Sequence, residues 1–301
     1  MKTPPDQAHP AVCDYEGSRY RTDFWEKQDR QYEDLAERIA LRKLLPPRGT
    51  RLVEIGAGFG RLASLYENYE EVVLLDYAVS MLREAKARLG DDPRIIYVAA
   101  DVYLLPFVEQ LFDTVVMVRV MHHLQDVPRA LREIRRILAG NGVFICEYAN
   151  KRNLKAIGRY LLRRQHWSPF ALKPYEFATL NFDFHPRWMS ARFREVGLYP
   201  EQELAVSHFR LPFLKRLIPP ATLARLDGAF QEVGARWKLT PSVFVRNRVS
   251  ATADDTLPTG FFRCPLCGDS ALRGHNSVLV CTNGHRWPVD DGIYIFKPMT
   301  Q

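Results

Sequence analysis

Between residues 51 and 149 the chain carries five unbroken apolar runs, and the stretches between them are helical in pattern. The runs are RLVEI, EVVLLD, RIIYVAAD, FDTVVMVRV and GVFICEYA. A strand with one wet face alternates apolar and polar residues, whereas a strand covered on both faces does not. Val/Ile/Leu runs separated by helices therefore predict a parallel sheet with helices on both sides, a doubly wound α/β domain. The first helix is marked by Leu35, Ile39, Arg42 and Leu45 and stopped by Pro46-Pro47. Others are expected from Arg61, over Val79 to Leu89, and after Asp126 and Pro128, where ALREIRRIL runs to a Gly-Asn-Gly stop. EQELAVSHFR and PSVFVRNRV, preceded by the helix PRWMSARFREVG, add two strands, for a sheet of seven.

The 301 residues, 47% apolar, suffice for one large domain and a small appendage. Residues 1–28 are polar and Pro-containing, which suits a flexible or lid segment, and 29–249 form the main domain. Residues 250–260 (SATADDTLPTG) have linker composition, and 261–301 read as a separate small unit. No run of about 18 apolar residues predicts a transmembrane segment. The N-terminus has no apolar secretion core, and five cysteines, an odd number, argue for reduced thiols over a disulfide framework; both predict a cytoplasmic protein. The net charge of +7 admits an anionic partner without requiring one.

The first run closes on Glu54 and is followed by Gly56, Ala57, Gly58 and Gly60, in LVEIGAGFGR. Glycine tolerates positive φ and lets a ligand press on the backbone itself. A helix beginning after the turn would offer free N–H groups to an anionic or polar group. A dinucleotide fold would show G-x-G-x-x-G, but here the third glycine comes one residue early and Arg61 takes its place. Asp76 ends the second run, where a carboxylate can accept from both ribose hydroxyls, and Asp101 ends the third, placed to meet an adenine amino group.

With Glu54, G-x-G-x-G, Asp76, Asp101 and the later His122-His123-Leu124 in place, the chain resembles the class I S-adenosylmethionine (SAM)-dependent methyltransferases over roughly residues 29–249. The resemblance implies a seven-stranded Rossmann-like sheet ending in a reversed hairpin. It implies that Gly56, Ala57 and Gly58 approach the methionine part of the cofactor and that Asp76 holds the ribose. Tyr77 and Met81 would flank the adenine, Asp101 and Val102 would hold its edge, and Arg119 would line the methionine moiety and the substrate entrance. No residue is assigned to catalysis. His122 and His123 fit packing at a helix start as well as proton transfer, and Glu147 and Tyr148, past the fifth strand, face the same cleft by topology. Methyl transfer from a sulfonium needs chiefly in-line placement, and a base only where the acceptor must lose a proton.

In the small C-terminal unit Cys264-x2-Cys267 and Cys281-x3-His285 form two close pairs about a dozen residues apart. Thiolate and imidazole ligands in that pattern select Zn²⁺ in a closed, structural site, and a metal supplies stability that so short a unit cannot draw from a core. Pro265 and Gly268 suit the tight knuckle between the first pair. His275 is a rival fourth ligand that makes no tight pair with Cys281. The segment resembles the zinc ribbon of 23S rRNA guanine-N1 methyltransferases and the small zinc-binding activator subunits of methyltransferases acting on tRNA, rRNA and release factors. Here it lies at the C-terminus, and its charges cancel between Asp255 and Lys297, four basic against four acidic. It can therefore cover an apolar patch of the enzyme as readily as it can meet RNA.

An insertion at 151–185 follows the fifth strand. From Lys151 to Lys173 it holds seven Lys or Arg and no acid, with Arg152, Lys155, Arg159 and Arg163 on one helical face and Leu154, Ile157 and Leu161 on another. It can be a solvated lid, a phosphate-tracking RNA surface with Trp167 or Phe170 stacking, or a peripheral contact with an anionic membrane. A second cationic apolar segment, FRLPFLKRLIPP, leans toward the last two. The expected activity is methyl transfer to an unidentified small-molecule or lipid-like acceptor, with an rRNA or tRNA base as the alternative. A reading of another class is a non-catalytic SAM-binding partner or regulator.

Overall fold

A computed structural model of the chain describes residues 9–17, 30–250, 260–275 and 277–297. The lid expectation for 1–28 is thus described only over 9–17, and nearly all of the linker lies outside the described residues. The main domain opens with helix α1 (Gln31–Leu44) and strands β1 (Gly49–Ile55) and β2 (Tyr69–Asp76). Helix α2 (Val79–Leu89), β3 (Ile95–Ala100), β4 (Phe112–Met117), α3 (Val127–Ile137) and β5 (Leu138–Ala149) follow. The insertion contains α4 (Leu154–Leu161) and a hairpin of β6 (Tyr175–Ala178) and β7 (Asn181–Asp183). Then come α5 (Pro186–Glu195), β8 (Leu198–Val206), α6 (Pro212–Leu217), α7 (Pro220–Gly234) and β9 (Ser242–Val249). The C-terminal unit is β10 (Arg273–His275), β11 (Val278–Val280), β12 (Arg286–Asp290) and β13 (Ile293–Phe296).

β1 to β5 pair in parallel, and β9 enters antiparallel between β5 and β8. The unbroken apolar runs have the expected cause: Val53, Ile55, Val73 and Leu75 pack into one core and Leu52, Val72 and Leu74 into another, on the two faces of the sheet. The sheet has eleven strands and not seven, in the order β10-β11-β12-β13-β3-β2-β1-β4-β5-β9-β8. The expected seven form its body, and the C-terminal strands extend it because β13 pairs in parallel with β3, Ile293 opposite Tyr97 and Phe296 opposite Ala100.

The helix expected from Arg61 is replaced by turns and one 3₁₀ turn, Ala63–Leu65. β2 already begins at Tyr69, so the chain lacks the length for a helix and its return. α7 carried no sequence expectation. It packs on α1, where Tyr32 Oη donates to Asp227 Oδ2 at 2.7 Å and Gln231 Nε2 donates to the Ala36 carbonyl at 3.0 Å.

Candidate functional site

The glycine turn is tied to the end of β2. The N–H groups of Gly56 and Ala57 both donate to the Leu75 carbonyl (2.7 and 2.9 Å), and that of Gly58 donates to Asp76 Oδ2 at 2.8 Å. All three glycines have positive φ, but they face different things. A Cβ on Gly56 would lie 2.0 Å from Val120 Cγ2 and one on Gly60 2.9 Å from Leu89 Cδ1, whereas one on Gly58 would meet nothing within 4 Å. Two glycines thus permit packing, and Gly58 leaves space.

That space belongs to a cavity lined by Glu54, Gly56, Ala57, Gly58, Asp76, Tyr77, Met81, Val102 and Arg119, among others. Gly60 does not line it, and Asp101 lines the neighbouring cavity beside Tyr77. Asp101 Oδ1 accepts from the Tyr103 N–H at 2.8 Å, and Oδ2 lies 3.3 Å from His9 Nε2. Asp76 Oδ1 accepts from the Ala78 N–H at 2.9 Å, and with about four lone-pair sites its carboxylate keeps acceptor capacity for a vicinal diol. Glu54 is 2% exposed, its Oε2 is buried without a hydrogen-bond partner, and burial pushes its carboxyl up to about 8. A buried acceptor beneath an open glycine turn, with a diol-ready carboxylate beside it, fits a cationic nucleoside.

The strap 9–17 contributes Ala11, Val12, Cys13 and Tyr15 to the cavity wall. α2 begins at an alanine N-cap that offers no side-chain bond. Glu16 supplies the cap from the strap, accepting from the N–H groups of Val79 (2.7 Å) and Ser80 (3.0 Å). Tyr15 Oη lies 3.1 Å from His123 Nε2, and the Ala11 N–H donates to Gln125 Oε1 at 3.0 Å. A helix start with no capping residue of its own was the one available signal.

Arg119 separates this cavity from a second, of about 770 Å³, and lines both. Its backbone is left-handed, φ 61°, a strained conformation for a side-chain-bearing residue. Its N–H donates to Glu147 Oε2 at 3.1 Å, and its guanidinium pairs with the buried Glu37, whose other oxygen takes Arg61 Nη2 at 2.9 Å. Glu147 Oε1 accepts from Ser242 Oγ at 2.7 Å, and burial raises its pKa. The two histidines part company: His123 lines the first cavity and His122 the second. His122 Nδ1 is buried without a partner, and burial lowers its pKa well below the ordinary range, leaving a neutral ring. Tyr148 is 1% exposed, packed in the core, and lines neither cavity.

The basic insertion forms the outer wall of the second cavity with Arg159, Arg164 and Trp167, the indole stacked on Tyr175 at 4.6 Å. Leu154, Leu161 and Leu162 of α4 and its end are 64%, 70% and 67% exposed. Among the described residues no helix is long and apolar enough to cross a membrane.

In the C-terminal unit the ligand atoms of Cys264, Cys267, Cys281 and His285 lie within 4.8 Å of one another. Cys267 and Cys281 sulfurs are 3.7 Å apart, close to the edge of about 3.8 Å that Zn–S bonds of about 2.3 Å give a tetrahedron. Each half is built on a glycine-closed turn: the Gly268 N–H donates to the Cys264 carbonyl four residues back (2.8 Å) and the Gly284 N–H to that of Cys281 three back (2.9 Å), both glycines at positive φ. The four residues fit a zinc ion. The side chain of His275 lies outside the described residues. Cys13 and Cys146 stand apart, and all five cysteines are free.

Residues 53–146 match the family model of the methyltransferase domain. Among curated relatives, a demethylmenaquinone methyltransferase of Clavibacter sepedonicus is 32% identical over 36% of this chain and 45% of its own length. The chain thus spans under half of that relative. A 27-O-demethylrifamycin SV methyltransferase of Amycolatopsis mediterranei is 25% identical over 65% of this chain and 72% of its own. Among solved structures, a chain from the complex between the Haloferax volcanii Trm112 methyltransferase activator and a methyltransferase superposes with TM-score 0.54 at 16% identity. The match covers 76% of this chain and 96% of that one. The architecture is the Rossmann-like methyltransferase fold with an enlarged mixed sheet.

Proposed function

We propose that the chain is a SAM-dependent methyltransferase acting on a small-molecule or lipid-like acceptor. The observation that carries this reading is the meeting of two cavities at Arg119, one floored by the open face of Gly58 and the other walled by the insertion. Glu54, Gly56, Ala57, Gly58, Asp76, Tyr77, Met81 and Val102 would hold the cofactor, with Asp101 at its adenine edge. When bound, SAM supplies a methyl group on a sulfonium.

The protein's share is then placement of the acceptor against the shared wall and exclusion of water. Where the acceptor must first lose a proton, neutral His122 is the group able to take it, through its unpartnered Nδ1. Glu147 is committed to Ser242 and to the Arg119 backbone. The relatives named for menaquinone and rifamycin chemistry take small acceptors, and the exposed leucines of α4 favour a lipid-like one.

The C-terminal unit is read as a structural zinc ribbon, held by Cys264, Cys267, Cys281 and His285, that covers the β3 edge from within the chain. Titration with S-adenosylhomocysteine should saturate at micromolar concentration and weaken in Asp76→Ala; no binding to the wild type would sink the reading. Labelled SAM should then transfer its methyl to a lipid or small-molecule extract and not to total RNA.

A further inference from the structure

The second cavity has a buried hydrogen-bond donor left unused at its inner end. Three groups there already have partners within the protein: Glu147 uses both oxygens on Ser242 and Arg119, Arg119 is paired with Glu37, and Glu37 is shared with Arg61. Arg210 differs. It follows β8 in a segment entered through Ser207 at φ 72°, its Nε is buried without a hydrogen-bond partner, and it lines this cavity. Glu37, Glu33 and Glu147 attract Arg210 through space, but none takes its Nε–H, and a buried donor left unused is costly until an acceptor meets it. Its planar fork matches a carboxylate with two parallel N–H···O bonds.

We propose that Arg210 binds a carboxylate of the methyl acceptor at the inner end of this cavity. The inference rests on the methyltransferase reading and narrows its acceptor to an organic acid. A monoanion suits the site better than a phosphate dianion, because one arginine offers an unused donor and Glu147 and Asp183 line the same walls. Burial pushes Asp183 up to about 6, so it stays largely ionised at neutral pH and would repel a second negative charge. The acid's body has an aromatic surface to lie on, the stacked Trp167–Tyr175 pair, and the exposed Arg159 and Arg164 would guide it in electrostatically.

The test uses benzoate as probe and benzamide, of the same shape without the charge, as control, titrated into the full chain saturated with S-adenosylhomocysteine. Benzoate should bind saturably and at least about tenfold more tightly than benzamide, and Arg210→Gln should remove about that factor while leaving S-adenosylhomocysteine affinity within about twofold. Arg210→Lys should restore part of the loss. Equal affinities, no saturable benzoate binding, or a Gln variant that binds benzoate normally would each overturn the proposal. Should Arg210→Gln not fold, the Arg210 Nε–H resonance of the wild type decides: benzoate must shift it and benzamide must not. Failure of S-adenosylhomocysteine to bind would instead refute the methyltransferase reading, and benzoate titration of the free chain would still judge Arg210.

Discussion

Phe296 pairs with Ala100 across the seam between β13 and β3, one residue before Asp101. The C-terminal unit therefore touches the loop at the proposed adenine edge directly. It holds that loop from a second side as well, through the Arg263 N–H to the Pro106 carbonyl at 2.9 Å and the Val108 N–H to the Phe261 carbonyl at 3.2 Å. Lys297 Nζ sits 4.1 Å over the ring of Tyr77. Loss of the proposed zinc should thus weaken cofactor binding at a distance. In Cys281→Ser, zinc measured by elemental analysis should fall below one per chain and S-adenosylhomocysteine affinity by about tenfold, roughly 1.4 kcal/mol. A zinc-free variant that binds with wild-type affinity would show the ribbon to be a passenger.

The glycines of the turn should separate fold from function. Gly56→Ala drives a methyl into Val120 and adds left-handed strain, a cost of about 2–4 kcal/mol that denaturant titration would read. Gly58→Ala meets no protein atom, so only backbone strain of about 1 kcal/mol is expected, yet its methyl enters the cavity and S-adenosylhomocysteine binding should drop by more than stability does. The opposite ranking of the two would mean that the turn faces another way.

The body of the fold was legible because a doubly covered strand leaves an unambiguous trace: runs such as VVLL and FICEYA cannot be half-wet. α2 matches its expected limits, Val79 to Leu89, because Gly90 stops it cleanly at φ 72°. What escaped is what depends on partners far away in sequence. The β13–β3 pairing joins residues nearly two hundred positions apart, and nothing local to IYIF names its neighbour. The absent helix after Gly60 is a matter of arithmetic, since the eight residues before Tyr69 cannot hold a helix and a return. Arg119 was expected at both the methionine moiety and the substrate entrance, and it lines both cavities; what stayed hidden is its pairing with Glu37 of α1, a residue distant in sequence.

The strap should set how fast the cofactor leaves. Glu16 caps α2 from outside the helix, and Glu16→Ala removes acceptors from two N–H groups, about 0.5–2 kcal/mol by analogy with ordinary N-caps. Because the same strap walls the cavity with Val12 and Tyr15, the variant should release S-adenosylhomocysteine several-fold faster in stopped-flow, with a smaller change in the association rate. An unchanged dissociation rate would make the strap a bystander.

Glu54 should give the protein a pH signature. Burial raises its carboxyl from 4.5 to about 8, so the folded chain without ligand keeps a proton that the unfolded chain releases above about pH 4.5. The contribution of this group to stability is full below pH 4.5 and is lost as pH rises through 8, with a slope approaching about 1.4 kcal/mol per pH unit inside that window. Glu54→Gln cannot ionise, so between pH 5 and 8 its stability should fall less steeply than that of the wild type, by denaturant titration at several pH values. Cofactor binding should run the other way: a cationic ligand favours the ionised carboxylate, so SAM affinity should tighten toward pH 8 in the wild type, by at most about tenfold per unit. The Gln variant should show no such gain. Parallel stability profiles for the two proteins would mean that Glu54 is already ionised in the folded chain, satisfied by Arg61 nearby.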